Sequence, residues 1–124
     1  MKIIASDYDG TLNHGGIDDK KRETIKKWRE KGNKFGIVSG RMPDDLLKIY
    51  KKDELDLDFL LACNGAVILT TDGKIIKDDR IDGELLKPFL DFLFSLGADW
   101  AIIHCEKSYV IDENDNDRLP DEFT

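Results

Sequence analysis

The sequence predicts an α/β fold, a parallel βαβαβ unit over residues 1–65 followed by a smaller α+β segment. Three observations predict it. In the first half, short apolar runs alternate with stretches of helical period, the pattern of a parallel sheet with right-handed crossovers. Each of those runs ends in a polar, glycine-bearing junction: Asp7-Tyr8-Asp9-Gly10-Thr11, Ser39-Gly40-Arg41 and Asn64-Gly65. Beyond residue 65 the alternation stops, and short apolar runs flank turn-forming steps instead.

Residues 2–6 (KIIAS) read as a short buried strand and residues 7–16 as a loop rich in Gly, Asp and Asn. Asp18 or Asp19 caps a helix that runs to about Lys31 with Ile25 and Trp28 on its buried face. Gly32 stops it, and Arg29 and Lys31 suit the negative end of its dipole. Lys20, Lys21, Arg22, Lys26 and Lys27 form its solvated face. Residues 34–38 (KFGIV) are the second strand. Pro43 opens the next helix, with Asp44 and Asp45 in its first turn and Leu46, Leu47, Ile49 and Tyr50 as its apolar face. Residues 58–62 (DFLLA) are the third strand. Two short strands, 66–70 and 74–77, then flank Thr71-Asp72-Gly73 as a hairpin. A helix over about 83–96 carries Leu85, Leu86, Phe89, Phe92, Leu93 and Leu96 as one broad apolar stripe. Pro88 either kinks it or delays its regular part to about Lys87, and Gly97 ends it. Residues 100–104 and 108–111 read as a second hairpin around Glu106-Lys107, and the acidic end, DENDNDRLPDEFT, as loose or exposed chain. Trp28, Trp100 and the phenylalanines at 89, 92 and 94 are expected in packing.

Composition narrows the function. The 124 residues are 40% hydrophobic and 36% charged, which is globular and long enough for a core. No apolar run approaches the ~20 residues of a membrane span, and no secretory leader is recognisable, so the expected location is the cytoplasm. A net charge of -7 argues against nucleic acid as a partner. It also means that an anionic substrate needs a local cation, either Mg²⁺ or a placed Lys or Arg. Cys63 and Cys105 both follow apolar stretches and read as buried reduced thiols, and neither shares metal-ligand spacing with His14 or His104. His14 reads as an exposed loop residue. The stretch from Asp112 to Asp117 is not a calcium loop, because the sixth position is Asp117 rather than Gly and the twelfth is Phe123 rather than Glu.

The three junctions all fall at the carboxyl ends of strands, where open α/β sheets bind their ligands. A carboxylate there can attack phosphorus and form an aspartyl-phosphate that water later hydrolyses. A second carboxylate two residues on can protonate the leaving alcohol and then take a proton from the water. Alternate residues of an extended strand point the same way, so Asp7 and Asp9 can converge. Gly10 lets the backbone approach a phosphate, and the Thr11 hydroxyl can fix the Asp7 rotamer. Two carboxylates beside a phosphate call for a hard, oxygen-seeking cation, which Mg²⁺ is. A bare Asp-x-Asp-Gly is more often only a turn. Its place after an N-terminal strand, matched by Ser39 at the end of the next, points to phosphate chemistry.

With ASDYDGTL, VSGR and CNGA on one chain, the sequence resembles the haloacid dehalogenase (HAD) superfamily and, within it, the Cof-type phosphatases with a type IIB cap. The resemblance implies a Rossmann-like parallel βαβαβ half-core over 1–65, a linker hairpin over 66–81 and a partial α+β cap with an acidic tail over 82–124. It implies that Asp7 is nucleophile and Mg²⁺ ligand, and that Asp9 is general acid/base and, through its backbone carbonyl, the second ligand. Ser39 would hold the phosphoryl group, with Tyr8, Gly10, Thr11 and Gly40 around it. Arg41 and Asn64 are possible substrate contacts, Arg41 either meeting the phosphate or pairing with a nearby acid. The substrates implied are small phosphorylated metabolites, such as sugar phosphates or flavin and pyridoxal precursors. The family's later Lys and Gly-Asp-x-x-x-Asp-like cluster have no counterpart in these 124 residues. The expectation is therefore a Mg²⁺-dependent phosphomonoester hydrolase, incomplete as this chain. The alternative is a non-catalytic, truncated HAD-like module that binds a phosphorylated ligand or a partner chain. An open sheet edge would favour pairing between copies.

Overall fold

The structure, a computed structural model, describes residues 1–104 and 108–114. Cys105, the Glu106-Lys107 turn and the acidic stretch from Asp115 onward lie outside the described residues. Two compact units divide after Asp79.

The first unit is a five-stranded sheet in the order β1-β2-β3-β4-β5. Its strands are β1 (Ile3–Asp7), β2 (Lys34–Val38), β3 (Phe59–Ala62), β4 (Val67–Leu69) and β5 (Ile75–Asp78), with α1 (Asp19–Glu30) and α2 (Pro43–Asp53) as crossovers. β1, β2 and β3 are parallel, in register Asp7↔Val38 and Val38↔Leu61. β3, β4 and β5 are antiparallel. The hairpin expected as a linker thus extends the sheet itself, because β4 turns straight back along β3.

The helices start and stop as their sequences dictate. The Asp18 carboxylate accepts from Lys21 N at the start of α1, and Pro43 opens α2. Successive right-handed crossovers in one direction place both helices on one sheet face. There Ile25 and Leu46 pack with Tyr8, Phe35, Ile37, Leu60, Ala62 and Leu69, and Trp28, Leu47, Ile49 and Tyr50 border them. Arg22, expected on a solvated face, is half-buried and its Nε donates to the Asp53 carbonyl at 2.8 Å, tying α1 to the end of α2. His14 is exposed, as expected.

β1 corrects the expectation of a buried strand. Ile3 is 62% and Ile4 39% exposed, since β1 is the outer strand of the described sheet and helices cover only one face. On that other face, Phe59 lies over Gly36, its register partner, where a Cβ would come within 2.3 Å of the ring.

The second unit pairs α3 (Gly83–Ser95) with the antiparallel hairpin β6 (Trp100–His104) and β7 (Ser108–Asp112). Asp82 caps α3, which passes through Pro88 without interruption. The carbonyl that Pro88 leaves without a donor belongs to Glu84, which is exposed and can meet water. The core is Leu86, Leu90, Phe94 and Ile111, with Ala101, Ile103 and Tyr109 beside it. The single broad stripe expected of α3 is not what packs: Leu85, Phe89, Phe92 and Leu96 are exposed, and so is Trp100. No described helix is long and apolar enough to cross a membrane.

Candidate active site

β1 and β2 end side by side, so the parallel register brings Asp7 next to Val38 and hence next to the turn that begins at Ser39. Asp7 is the last residue of β1, and the Thr11 hydroxyl donates to its Oδ2 at 2.9 Å. This is the rotamer-fixing contact that the motif predicts. Thr11 can reach back because the chain turns tightly after the strand. Thr11 N and Asn13 N donate to the Tyr8 carbonyl at 3.3 and 2.9 Å, and Gly10 N donates to the Asn13 carbonyl at 3.2 Å. Gly10 adopts φ +76, a left-handed conformation that a side chain would strain.

The Tyr8 side chain is turned away from this loop's surface. Its ring is buried in the core, and its hydroxyl donates to Asp53 Oδ2 and accepts from Asn13 Nδ2 at 3.1 Å. Burial pushes the phenol above its ordinary pKa, and the Asp53 hydrogen bond adds to the shift. Tyr8 can therefore serve a phosphate only through its backbone. Asn13, which sequence reasoning passed over, closes the loop from both ends, since its Oδ1 also accepts from Gly16 N at 3.0 Å. Its signal was present in the Asn-His-Gly-Gly run, where an Asn side chain commonly bonds backbone two or three residues on. The role of Asp53, far along the chain, had no local signal.

Ser39 is buried, the only polar residue so placed among the described residues. Its N donates to the Leu61 carbonyl at 3.0 Å, and its Oγ accepts from Arg41 N at 3.1 Å. That leaves the hydroxyl proton as the group that could meet a phosphate oxygen. The Asn64 loop braces the turn from the far side: Asn64 N donates to the Ser39 carbonyl and Cys63 N to the Arg41 carbonyl, both at 2.9 Å. Making those two bonds puts Cys63 and Asn64 at φ 50 and 57, a cost of about 1 kcal/mol each, lower for Asn, which tolerates the left-handed region. The Asn64 carboxamide lies against Gly40, where a Cβ would come within 3.3 Å of its Oδ1. Asn64 thus acts on the Ser39 turn through backbone and packing. Cys63 is a free thiol, half-buried rather than buried, and desolvation raises its pKa.

Of its two expected roles, Arg41 shows the pairing with a nearby acid. Its Nε and Nη2 donate to Asp9 Oδ2 and Oδ1 at 2.8 and 2.7 Å, a bidentate pair. The guanidinium also lies 5.9 Å from the centroid of the Tyr8 ring. The Arg41 hydrogen bonds hold the Asp9 carboxyl below its usual range, and Asp9 in turn raises Arg41. The pair thereby holds Asp9 in its ionised form. Both groups are substantially exposed, so the pair is open to exchange with an arriving anion.

The donor set for a cation is a half-set. The Asp7 carboxylate and the Asp9 backbone carbonyl are hard oxygen donors of the kind Mg²⁺ takes alongside retained waters. Among the described residues no group of three or more His, Cys, Asp or Glu converges as a metal site.

Comparison with known proteins agrees with this fold. Residues 4–124 match the haloacid dehalogenase-like hydrolase family. The 5-amino-6-(5-phospho-D-ribitylamino)uracil phosphatase YwtE of Bacillus subtilis is 35% identical over 97 residues, which make up 77% of this chain and 33% of that protein. Among solved structures, BT1666 of Bacteroides thetaiotaomicron, described among the phosphatases of the HAD superfamily, superposes with a TM-score of 0.71 at 26% identity. That match covers 89% of this chain and 41% of BT1666. The HAD subclass IIB sugar phosphatase BT4131 shares the fold, with a TM-score of 0.64 at 24% identity over 89% of this chain and 44% of its own. The chain thus spans about a third of its curated relative and about two-fifths of these solved neighbours. With its family match running almost end to end, the chain belongs to the haloacid dehalogenase-like hydrolases.

Proposed function

We propose that this chain carries the phosphoryl-accepting part of a cytoplasmic, Mg²⁺-dependent phosphomonoester hydrolase acting on a small phosphorylated metabolite. The observation that supports it best is that Asp7, oriented by Thr11, ends β1 beside the end of β2 and the turn that begins at Ser39. The Asp7 carboxylate attacks phosphorus, and the ester P–O bond breaks. Asp9 delivers a proton to the leaving alkoxide oxygen, so the first product is an alcohol. Water then attacks the phosphorus of the aspartyl-phosphate while Asp9 takes its proton. The acyl P–O bond breaks, and phosphate leaves with Asp7 restored. Ser39 donates to a non-bridging oxygen throughout. Asp7 and the Asp9 carbonyl would hold Mg²⁺, which supplies charge neutralisation at the transferring group. The curated relative's named substrate, a phosphorylated ribitylaminouracil, is a small phosphorylated metabolite of the class proposed. The acidic net charge disfavours nucleic acid as a partner.

These 124 residues supply nucleophile, proton carrier and phosphoryl anchor but few cationic groups for the transferring phosphate, so turnover by the chain alone is expected to be slight. A steady-state assay with p-nitrophenyl phosphate and Mg²⁺ tests this. Robust turnover abolished by Asp7→Asn would overturn the incompleteness while keeping the chemistry. Robust turnover indifferent to Asp7→Asn would overturn both.

A second reading is a non-catalytic module that binds a phosphorylated ligand, and the Arg41–Asp9 pair favours it because it keeps the acid group ionised. The readings separate in beryllofluoride with Mg²⁺. Covalent mimicry of an aspartyl-phosphate shifts the Asp7 and Thr11 amide resonances only if Asp7 can act as nucleophile.

A further inference from the structure

Tyr8 is the only buried residue between Met1 and Thr24, and it stands between the two exposed aspartates of the site. Its side chain enters the core that Ile25 of α1 and Leu46 of α2 help to form. A phenyl ring would fill that space, so packing does not call for the oxygen. A buried hydroxyl is tolerated only where it is bonded, and this one is bonded twice. It donates to Asp53 Oδ2, on the last residue of α2, and accepts from Asn13 Nδ2 at 3.1 Å. Asp53 is itself tied to α1, since its carbonyl accepts from Arg22 Nε at 2.8 Å. Asn13 carries the anchor to both sides of Asp9. Its N donates to the Tyr8 carbonyl at 2.9 Å, its carbonyl accepts from Gly10 N at 3.2 Å, and Asp9 and Asn13 themselves form an isolated β-bridge. The ring has a second use. The Arg41 guanidinium lies over it, 5.9 Å from its centroid, while Nε and Nη2 of the same side chain hold the Asp9 carboxylate. Both partners of the ion pair therefore rest on Tyr8, Asp9 through the backbone and Arg41 through the ring face.

We propose that Tyr8 is a positioning residue for the Asp9–Arg41 pair, its hydroxyl clamped between Asp53 and Asn13 so that the ring and the loop around Asp9 are held in one place. The core would accept phenylalanine at this position; the pair would not keep its geometry. On the proposed function, on which this consequence rests, Asp9 is the proton carrier, and the clamp sets its carboxylate in place before a substrate arrives. The clamp itself lies wholly within the first unit and is built from β1's end, its loop and the ends of α1 and α2.

The Arg41 Nε–H resonance of the ¹⁵N-labelled 124-residue chain reads the pair directly, with urea unfolding run beside it as the measure of stability. In the wild type that resonance should be displaced from the free-arginine position and slow to exchange with water, because Nε donates to Asp9 Oδ2 at 2.8 Å. In Tyr8→Phe it should move towards the free position and exchange at least about tenfold faster. Asp53→Ala should act as Tyr8→Phe does, whereas Asp53→Asn, which keeps an acceptor for the phenol, should preserve the signal. Gly36→Ala, which crowds the Phe59 ring away from the site, should cost stability and leave the signal where it is. A Tyr8→Phe chain that loses stability with an unmoved Arg41 signal would reduce Tyr8 to a packing residue and overturn the proposal. So would an Arg41 signal at the free position in the wild type, or one lost equally in Asp53→Asn and Asp53→Ala. Should Tyr8→Phe not fold, the two Asp53 variants decide the matter between them. Beryllofluoride with Mg²⁺ separates this from the proposed function: Asp7 and Thr11 amides that ignore it in the wild type would overturn that function, while an Arg41 signal dependent on Tyr8 would still uphold the positioning.

Discussion

Asp58→Ala should be among the most damaging single substitutions in the first unit, although Asp58 is no part of the candidate site. Its carboxylate, at the entrance to β3, accepts from Arg29 Nε at 2.7 Å, Arg29 Nη2 at 2.8 Å and Phe35 N at 2.9 Å, with Lys34 Nζ at 3.3 Å. One side chain thus joins the last turn of α1 to β2 and β3. Only 11% of it is exposed, and the Arg29 side chain is 25% exposed. Truncation leaves Phe35 N buried with no acceptor, at a cost of about 1–3 kcal/mol. It also removes the bidentate partner of a mostly buried guanidinium that keeps only Asp56. A hydrogen bond to a charged group contributes about 1.5–3 kcal/mol, and partial access of water to Arg29 returns some of that. The expected loss is about 3 kcal/mol. For a unit of this size it lowers the midpoint of thermal unfolding by roughly 15 °C. Urea unfolding followed by Trp28 fluorescence in a Trp100→Phe background isolates the first unit. The pH dependence has a definite sign. Arg29 holds the Asp58 carboxyl well below the usual carboxylate range, so the folded value lies below the unfolded one. Its stabilisation is complete above the unfolded value of about 4 and is lost as pH falls through the folded value. The gap between wild type and Asp58→Ala should be constant around neutrality and narrow only below about pH 4. A gap under about 0.5 kcal/mol at neutral pH, or one that widens in acid, would refute the reasoning.

Two further substitutions test packing and electrostatics separately. Gly36→Ala puts a methyl group 2.3 Å from the Phe59 ring, so it should destabilise the first unit by about 2–3 kcal/mol in urea, and Phe59→Ala should recover part of that loss in the double variant. Arg41→Gln removes the donors that hold the Asp9 carboxyl down, so its titration, followed by carboxyl-carbon NMR, should move up towards the ordinary carboxylate range; an unmoved titration would mean that the Arg41 pair is not what sets it.

The fold was legible wherever a local rule and the tertiary context agreed. β2 and β6 fall on their expected residues, and α1 starts at the Asp18 cap and stops before Gly32, which takes φ +80. Departures arise where burial depends on a neighbour. Ile3 and Ile4 have the composition of a buried strand, but composition does not say whether a strand is flanked on one side or two. The apolar residues of α3 also looked like one stripe because helical spacing cannot tell a wide face from two adjacent ones. Leu85 and Leu86 are consecutive and lie about 100° apart, so one faces the hairpin while the other faces away. The β4–β5 hairpin was visible from Asp72-Gly73, but its attachment to β3 was not, since register belongs to the pair and not to either strand.

The site shows the same division, with one consequence for mechanism. The bond from Thr11 to Asp7 spans four residues and is read directly from the motif. The pair of Asp9 with Arg41 spans 32 residues and follows only once β1 and β2 are known to end in register. Asp7↔Val38 brings the two loops that follow side by side, and across them Asp9, two residues beyond β1, meets Arg41, three beyond β2. On the proposed reading this pairing does two jobs in sequence. While Arg41 is bound to Asp9, the carboxylate is ionised and held in place. A phosphate dianion arriving between Asp7 and Ser39 competes for the same guanidinium with more charge and as many acceptor oxygens. As Arg41 turns to the phosphate, Asp9 loses the partner that lowers its pKa, and its carboxyl moves back up towards the ordinary carboxylate range, in the direction that proton transfer to the leaving oxygen needs.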